Sequence, residues 1–272
     1  MLKIVILTYE SYQANLITCR LLKEFPGQVV KILKSNVIVP KKNLWQSFWF
    51  LYRKSGLGFV ARKGWEINLY LIVTRLCGFM GKKLKIPSLS RMGTNYKVQV
   101  LSVKNINFPE VIDTLKGLQF DLIISVYLNQ KIGGQLIKIA PKGVINIHPS
   151  LLPKNRGLFP YFWALANGDN ETGVTVHWVD SKFDTGDILI QRALPVTSSC
   201  TVFSLSYECA KLGADLLVEA VKLVEKGSPP KISQNKCQSS YFSWPSPIDV
   251  CRFKKKGRKY GSILEIWREL FD

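Results

Sequence analysis

Histidine is nearly missing from this sequence: His148 and His177 are the only two among 272 residues. The six cysteines (Cys19, Cys77, Cys200, Cys209, Cys237, Cys251) include no C-x-x-C pair. Together these two facts argue against a tetrahedral zinc site, and the thiols read as reduced packing residues. Acidic residues are scarce as well. Between positions 31 and 105 Glu66 stands alone against fifteen Lys or Arg. Long apolar runs are also lacking. INLYLIVTRLCGFMG, residues 67 to 81, carries Arg75 in its middle and is too short to span a bilayer. The opening MLKIVILTYE has no small-residue cleavage site and reads as a first strand, so a soluble cytoplasmic chain without a signal peptide is expected. No G-x-x-x-x-G-K-[ST], H-E-x-x-H or G-x-S-x-G occurs, which sets aside the P-loop, the zincin helix and the serine-hydrolase elbow.

What is present is a hydrophobic content of 47%, enough for a full core at this length, and a net charge of +19. Residues 252 to 260, RFKKKGRKY, add six cations and no acid, whereas 106 to 230 is close to balanced. Such a surface favours an anionic partner, whether phosphorylated substrate, nucleic acid or anionic membrane face. A solvated basic surface with no specific partner explains the same numbers equally well.

Three short apolar runs, 2–7, 121–126 and 143–147, have the length and composition of buried parallel strands. Helical spacing follows over 11–25 and 129–140, the second weakened by Gly133–Gly134. Strands are expected over 173–180 and 187–196 as an antiparallel extension, and a long helix over 201–227 with Thr201 as its cap. The fold class implied is α/β, a Rossmann-like, mostly parallel twisted sheet with helices on both faces, plus a helical insertion and a C-terminal tail. Ligands of such sheets bind beyond the carboxyl ends of the strands, where Asn146 and His148 fall. One domain is expected over 1–235. Residues 236–272 form a tail that packs partly on it and ends in a short helix, SILEIWRELF (262–271). Residues 44–92 read as an inserted set of basic amphipathic helices. Burial against the core is the expected fate of their apolar side; dimerisation or a membrane surface would also account for it. Gly56-Leu57-Gly58-Phe59-Val60-Ala61 matches a dinucleotide fingerprint, but no strand precedes it, and Lys82 and Lys83 stand where the acid should be.

Asn146, His148 and Asp184 carry the chemistry. An amide and an imidazole at one strand end can face a developing oxyanion, and a carboxylate from a later loop can orient the imidazole or a water. That set suits acyl transfer without a covalent enzyme intermediate. The competing reading is a buried histidine bonded to backbone, Asn146 capping a turn and Asp184 in an Asx-turn. Spacing alone favours the second.

The order of residues favours the first. Asn146-Ile147-His148-Pro149-Ser150-Leu151-Leu152-Pro153 is followed by Arg156-Gly157, by Thr172-Gly173-Val174-Thr175-Val176-His177 and by Phe183-Asp184-Thr185-Gly186-Asp187. This run closely resembles the folate-dependent formyltransferases, a family that includes glycinamide ribonucleotide, methionyl-tRNA and sugar N-formyltransferases. The resemblance is strong from about 120 to 195, diffuse over 1–35 and absent over 44–92. It implies a catalytic domain over 1–235 that moves a formyl group from 10-formyltetrahydrofolate, a co-substrate, to a primary amine. By the same resemblance Asn146 and His148 stabilise the oxyanion, and Asp184 holds His148 and a proton-carrying water. Tyr127, Leu128, Asn129, Gln130, Asp180 and Phe183 build the folate pocket, mainly through their backbone, and no metal is used. His177 reads as a strand residue near that pocket rather than a catalyst.

The acceptor is less legible. Thr8-Tyr9-Glu10-Ser11-Tyr12-Gln13 lacks the Gly- and Ser-rich phosphate loop of glycinamide ribonucleotide enzymes. Only some forty residues follow Pro230, too few for the C-terminal barrel of methionyl-tRNA enzymes. A small anionic amine, for example a nucleotide-linked amino sugar, is therefore the expected acceptor. An RNA-linked amine and a non-catalytic binding protein on the same fold are the alternatives, and homo-oligomerisation is left open.

Overall fold

The computed structural model describes residues 1–79, 84–262, 264–265 and 268–269, apart from the side chains at 63, 65–69 and 75–79. Lys82 and Lys83 and part of the expected terminal helix lie outside them. The sheet begins with β1 (Ile4–Tyr9), and the chain returns through α1 (Tyr12–Glu24), capped by the Ser11 side chain, to β2 (Val29–Ser35). Two inserted helices, α2 (Leu44–Ser55) and α3 (Leu57–Phe79), precede the crossover helix α4 (Leu89–Tyr96), which leads into β3 (Gln99–Val103). Then come α5 (Pro109–Lys116), β4 (Leu122–Val126), α6 (Gly134–Ile139) and β5 (Val144–His148). Beyond β5 lie β6 (Arg156–Gly157), α7 (Pro160–Asn167), β7 (Glu171–Trp178), β8 (Ile188–Pro195), α8 (Val202–Glu225), β9 (Tyr241–Phe242) and α9 (Pro247–Lys255).

The main sheet has the order β3-β2-β1-β4-β5-β7-β8. Its first five strands are parallel, and β7 and β8 are antiparallel. The strands alternate with crossover helices on both faces, as the sequence implies. Ile6 and Ile124 pack under α1, α4 and α8, while Val5, Leu7 and Ile123 pack under α5 and α6. Strands covered on both faces read as continuous apolar runs, which is why β1, β4 and β5 are visible in sequence. In the main sheet the two strands absent from that reading are β2 and β3. Lys31 and Lys34 interrupt β2, and β3 is a half-exposed edge, so neither shows a continuous run.

Two expectations need correction. The helix expected over 129–140 is confined to Gly134–Ile139. Residues 129–133 are instead a loop, because Asn129 and Gln130 turn their side chains back to the ends of β2 and β3. Ser35 Oγ donates to Asn129 Oδ1 at 2.8 Å, and Gln130 Nε2 donates to Lys104 O at 3.0 Å. Burial of the insertion holds for Phe59, Tyr70 and Val73 of α3, but the aromatic side of α2 lies in solvent. Gly56 ends α2 and no strand precedes it, so the dinucleotide match falls on a helix–helix junction.

The segment after 236 is tied to the main body. β9 pairs in parallel with β6, Phe242 stacks on Trp163 at 4.5 Å, and Phe253 of α9 is fully buried against Phe162 at 4.9 Å. Burying one such ring contributes roughly 1.5–3 kcal/mol. Among the described residues no helix is long and apolar enough to cross a membrane.

Candidate active site

β1, β4 and β5 run side by side, so their carboxyl ends open at one edge: Thr8 opposes Val126, and Val126 opposes Ile147. Alternation along β5 points Asn146 and His148 to one face. Antiparallel pairing with β7 then sets His177 directly opposite Asn146. Cross-strand partners have neighbouring Cβ atoms, and Asn146 Nδ2 lies 3.1 Å from His177 Nε2.

Asp184 arrives from the loop between β7 and β8. Its Oδ1 lies 3.7 Å from His148 Nδ1 and 3.6 Å from His177 Nε2, and its Oδ2 accepts from Gly157 N at 2.9 Å. Both rings are buried and Asp184 is nearly so, with 12% of its side chain exposed and less of either ring. Burial pushes the Asp184 carboxyl up. The charge of His148, contact with His177 and the Gly157 N–H outweigh that and hold it well below the usual carboxylate range. The carboxyl is therefore ionised inside the protein.

The outer nitrogens of both rings are fixed by backbone. His148 Nε2 meets Asn155 O at 2.9 Å and His177 Nδ1 meets Trp178 O at 2.8 Å. A carbonyl only accepts, so each of these nitrogens carries a hydrogen. In the neutral rings the inner nitrogens, His148 Nδ1 and His177 Nε2, are then bare and face the same carboxylate oxygen. At 3.6–3.7 Å they are too far for a direct hydrogen bond but well placed for a bridging water or an ion pair. A proton gained by either ring turns a lone-pair contact into a charge pair. The neutral His177 accepts from Asn146, and a protonated one releases that amide.

The loops are held by specific groups. Asp184 has φ +53, a left-handed conformation that Asp tolerates better than most residues. Gln234 Nε2 donates to Asp184 O at 3.0 Å and Gly186 O at 2.7 Å, and Arg156 Nη2 donates to Gln234 Oε1 at 2.6 Å. A Cβ at Gly186 would stand 1.9 Å from Trp178 O, and one at Gly157 would stand 2.1 Å from Phe242 O, so both positions require glycine. Thr175 Oγ1 donates to Ser150 O at 2.7 Å and accepts from Leu152 N at 3.1 Å, pinning the turn after His148.

The two loops expected around the folate flank this site. Lys131 Nζ sits 5.7 Å over the Phe183 ring, which is 48% exposed, and Leu128 and Val179 pack against the apolar cluster under α5 and α6. Asp180 accepts from Thr185 Oγ1 at 2.7 Å and closes its own loop. Asn129 and Gln130 spend their side chains on the β2 and β3 ends, and the Tyr127 hydroxyl is buried with no hydrogen-bond partner among the described residues.

A family model described as formyl transferase matches residues 77–221 of this chain. The chain belongs to the formyl transferase family. Similar proteins include the methionyl-tRNA formyltransferase of Syntrophus aciditrophicus, 37% identical over 161 residues that cover 59% of this chain and 52% of that protein. The corresponding enzyme of Methylacidiphilum infernorum is 37% identical over 172 residues, covering 62% and 54%. The chain spans about half the length of these curated relatives. Among solved structures, an N-formyltransferase from Helicobacter canadensis, in complex with folinic acid and dTDP-3-aminofucose, has a TM-score of 0.60 at 20% identity over 89% of this chain and 71% of that one. Glycinamide ribonucleotide transformylase 1 of Symbiobacterium toebii has a TM-score of 0.57 at 21% identity, over 86% and 95%. At these identities the likeness shows the fold.

Within this member of the formyl transferase family, the structure brings Asn146, His148 and Asp184 together. It adds three residues that sequence reasoning did not place in the site. His177 shares the carboxylate oxygen with His148; the strand register between β5 and β7, once known, would have placed it there. Asn155 and Gln234 act through backbone contacts some distance along the chain and leave no sequence signal.

Proposed function

We propose that this protein transfers a formyl group from 10-formyltetrahydrofolate to the primary amine of a small, anionic acceptor. The observation that carries the reading is the ionised, nearly buried Asp184 within 3.7 Å of both imidazoles, beside the Asn146 amide. The folate would supply a formyl carbonyl on a nitrogen that can leave once protonated. The amine adds to that carbonyl, a C–N bond forms, and the carbonyl π pair becomes an oxyanion. The amine then loses a proton, and the C–N bond to the folate breaks as its nitrogen takes one up.

Each demand has a matching group. The Asn146 amide, released once His177 is protonated, presents N–H donors to the oxyanion, an interaction that strengthens as charge develops, and the imidazolium beside it supplies positive charge. Asp184 stabilises whichever imidazole holds the proton, and a water on its Oδ1 can carry that proton between nitrogens. The fit to a folate rests on the exposed Phe183 ring and the half-buried Leu128, which offer apolar faces to a flat ring system. Backbone groups along 127–130 and 180–183 would meet its polar edge, Val179 N and Lys182 N being already bonded to Val144 O and Asp180 Oδ1.

The β1–α1 turn bears on the acceptor. Glu10 occupies it, accepting from Leu89 N at 3.0 Å and Asn15 Nδ2 at 2.7 Å, and Tyr12 is buried against Ser206. The turn offers a carboxylate paired with Lys34 Nζ at 3.4 Å and no glycine, which speaks against a ribonucleotide phosphate bound as in a Gly-rich loop. An RNA-linked amine is the second reading, favoured by the methionyl-tRNA formyltransferases among its relatives. Incubation with 10-formyltetrahydrofolate and a panel of amines, including amino-sugar nucleotides and charged initiator tRNA, tests both. The product is an amine heavier by one carbonyl. Product on tRNA alone selects the second reading, and no product with any amine refutes both.

A further inference from the structure

The helix α2 is built the wrong way round for a surface helix facing water. Its protein-facing stripe is Ser47, Leu51 and Ser55, two small hydroxyl residues and a single leucine. Its solvent side carries Trp45, Phe48, Trp49 and Tyr52, at i, i+3, i+4 and i+7, with Leu44 extending the stripe. Trp45 is 73% exposed and Trp49 52%. These rings pack on one another, with centroids 5.6 Å apart for Trp49–Tyr52 and 5.8 Å for Phe48–Trp49, so the stripe is one ordered apolar patch. Patches of that kind on a soluble surface mark a contact with something else.

We infer that α2 seats this protein on an anionic membrane surface, lying in the interface with its aromatic side in the headgroup region. Charge decides the occupant. Lys41, Lys42, Arg53 and Lys54 flank the patch, and no acid occurs between residues 31 and 65. Trp, Phe and Leu on one side with Lys and Arg at the rim is the composition of an interfacial helix, and Trp and Tyr favour the headgroup level. α9 packs beside α2, with Pro247 against Gly56, and brings exposed Ile248, Arg252, Lys254 and Lys255 to the same region. The two basic elements, far apart in sequence, are thus neighbours, touching where α9 begins and α2 ends. A second copy of this chain would bring like charges together on a molecule of net charge +19. Single-stranded nucleic acid wants a groove with free ring faces, whereas α2 offers a convex side whose rings are turned on each other.

The seat adjoins the site. Phe59, the third residue of α3, packs edge-on against Phe159 at 5.7 Å, two residues beyond the Gly157 that bonds Asp184. An acceptor amine carried at the membrane surface follows as a consequence; that consequence alone rests on the formyl-transfer reading.

The test is co-sedimentation of the whole protein with vesicles of phosphatidylcholine, with and without phosphatidylglycerol, read together with tryptophan quenching by brominated lipid. Association is expected with the anionic vesicles, along with quenching that the Trp45→Ala/Trp49→Ala variant loses. Arg53→Gln/Lys54→Gln should weaken association about thirtyfold. All four side chains are exposed, so circular dichroism should show both variants folded. The inference is overturned if the protein stays in solution, if association is indifferent to removal of both tryptophans, or if single-stranded RNA displaces the vesicles. It is equally overturned if the tryptophans prove to hold two copies together in solution.

Discussion

At the residue scale, one carboxylate serves two imidazoles. Asp184 Oδ1 stands almost equidistant from His148 and His177, and Gly157 N–H holds the other oxygen. Replacing it with asparagine keeps the shape and removes the charge that stabilises an imidazolium. Asp184→Asn is expected to lower kcat by about 10²–10⁴-fold with little change in KM for the amine. On the proposed mechanism Asn146→Ala removes an oxyanion donor and should cost about 10²–10³-fold in kcat. Steady-state kinetics on each variant checks both. The same carboxyl makes a pH prediction. Its folded pKa is depressed, so the unfolded chain takes up the proton first as pH falls. Its contribution to stability is complete above about pH 4, the usual aspartate value, and is lost progressively below it. Urea midpoints of the wild type and Asp184→Asn should therefore converge as the pH is taken below about 4. A gap that stays constant would show that the carboxyl is not held ionised by its partners.

At the scale of elements, the site depends on two close approaches of backbone. Gly186 sits beneath Trp178 O and Gly157 beneath Phe242 O, where no Cβ fits. Gly186→Ala should displace the Asp184 loop and abolish turnover while the rest of the sheet persists. Amide exchange confined to 179–187 would report it, and an unchanged kcat would contradict the geometry. The tail is part of this construction. Phe253→Ala should cost about 3–5 kcal/mol in a urea melt, since α9 anchors there to α7. These elements also show what sequence conveys. β5 was legible because it is covered on both faces and ends in polar groups, and α8 because Thr201 caps a long apolar stripe. The loop at 129–133 was not legible, because Asn129 and Gln130 bond to residues far away in the chain. His177 was legible as a strand residue near the pocket, but not its place opposite Asn146, since register between strands is written in no local pattern.

At the scale of the whole molecule, chemistry and address are separate. The carboxyl edge of the sheet states a reaction, while the insertion and α9 gather cations and aromatic rings on an adjoining side. The net charge was plain in the sequence, but not that α2 and α9, the two basic elements, become neighbours on folding. The match of residues 77–221 to the formyl transferase family covers the site and leaves α2 outside it, so the partner of α2 has to be read from the surface itself. The most direct test of the central claim is tetrahydrofolate release from 10-formyltetrahydrofolate in the presence of a primary amine, wild type beside Asp184→Asn. The account predicts release that depends on the amine, matches formylated product one for one, and falls by at least about a hundredfold in the variant. Amine-dependent release at equal rates in the two proteins would contradict it.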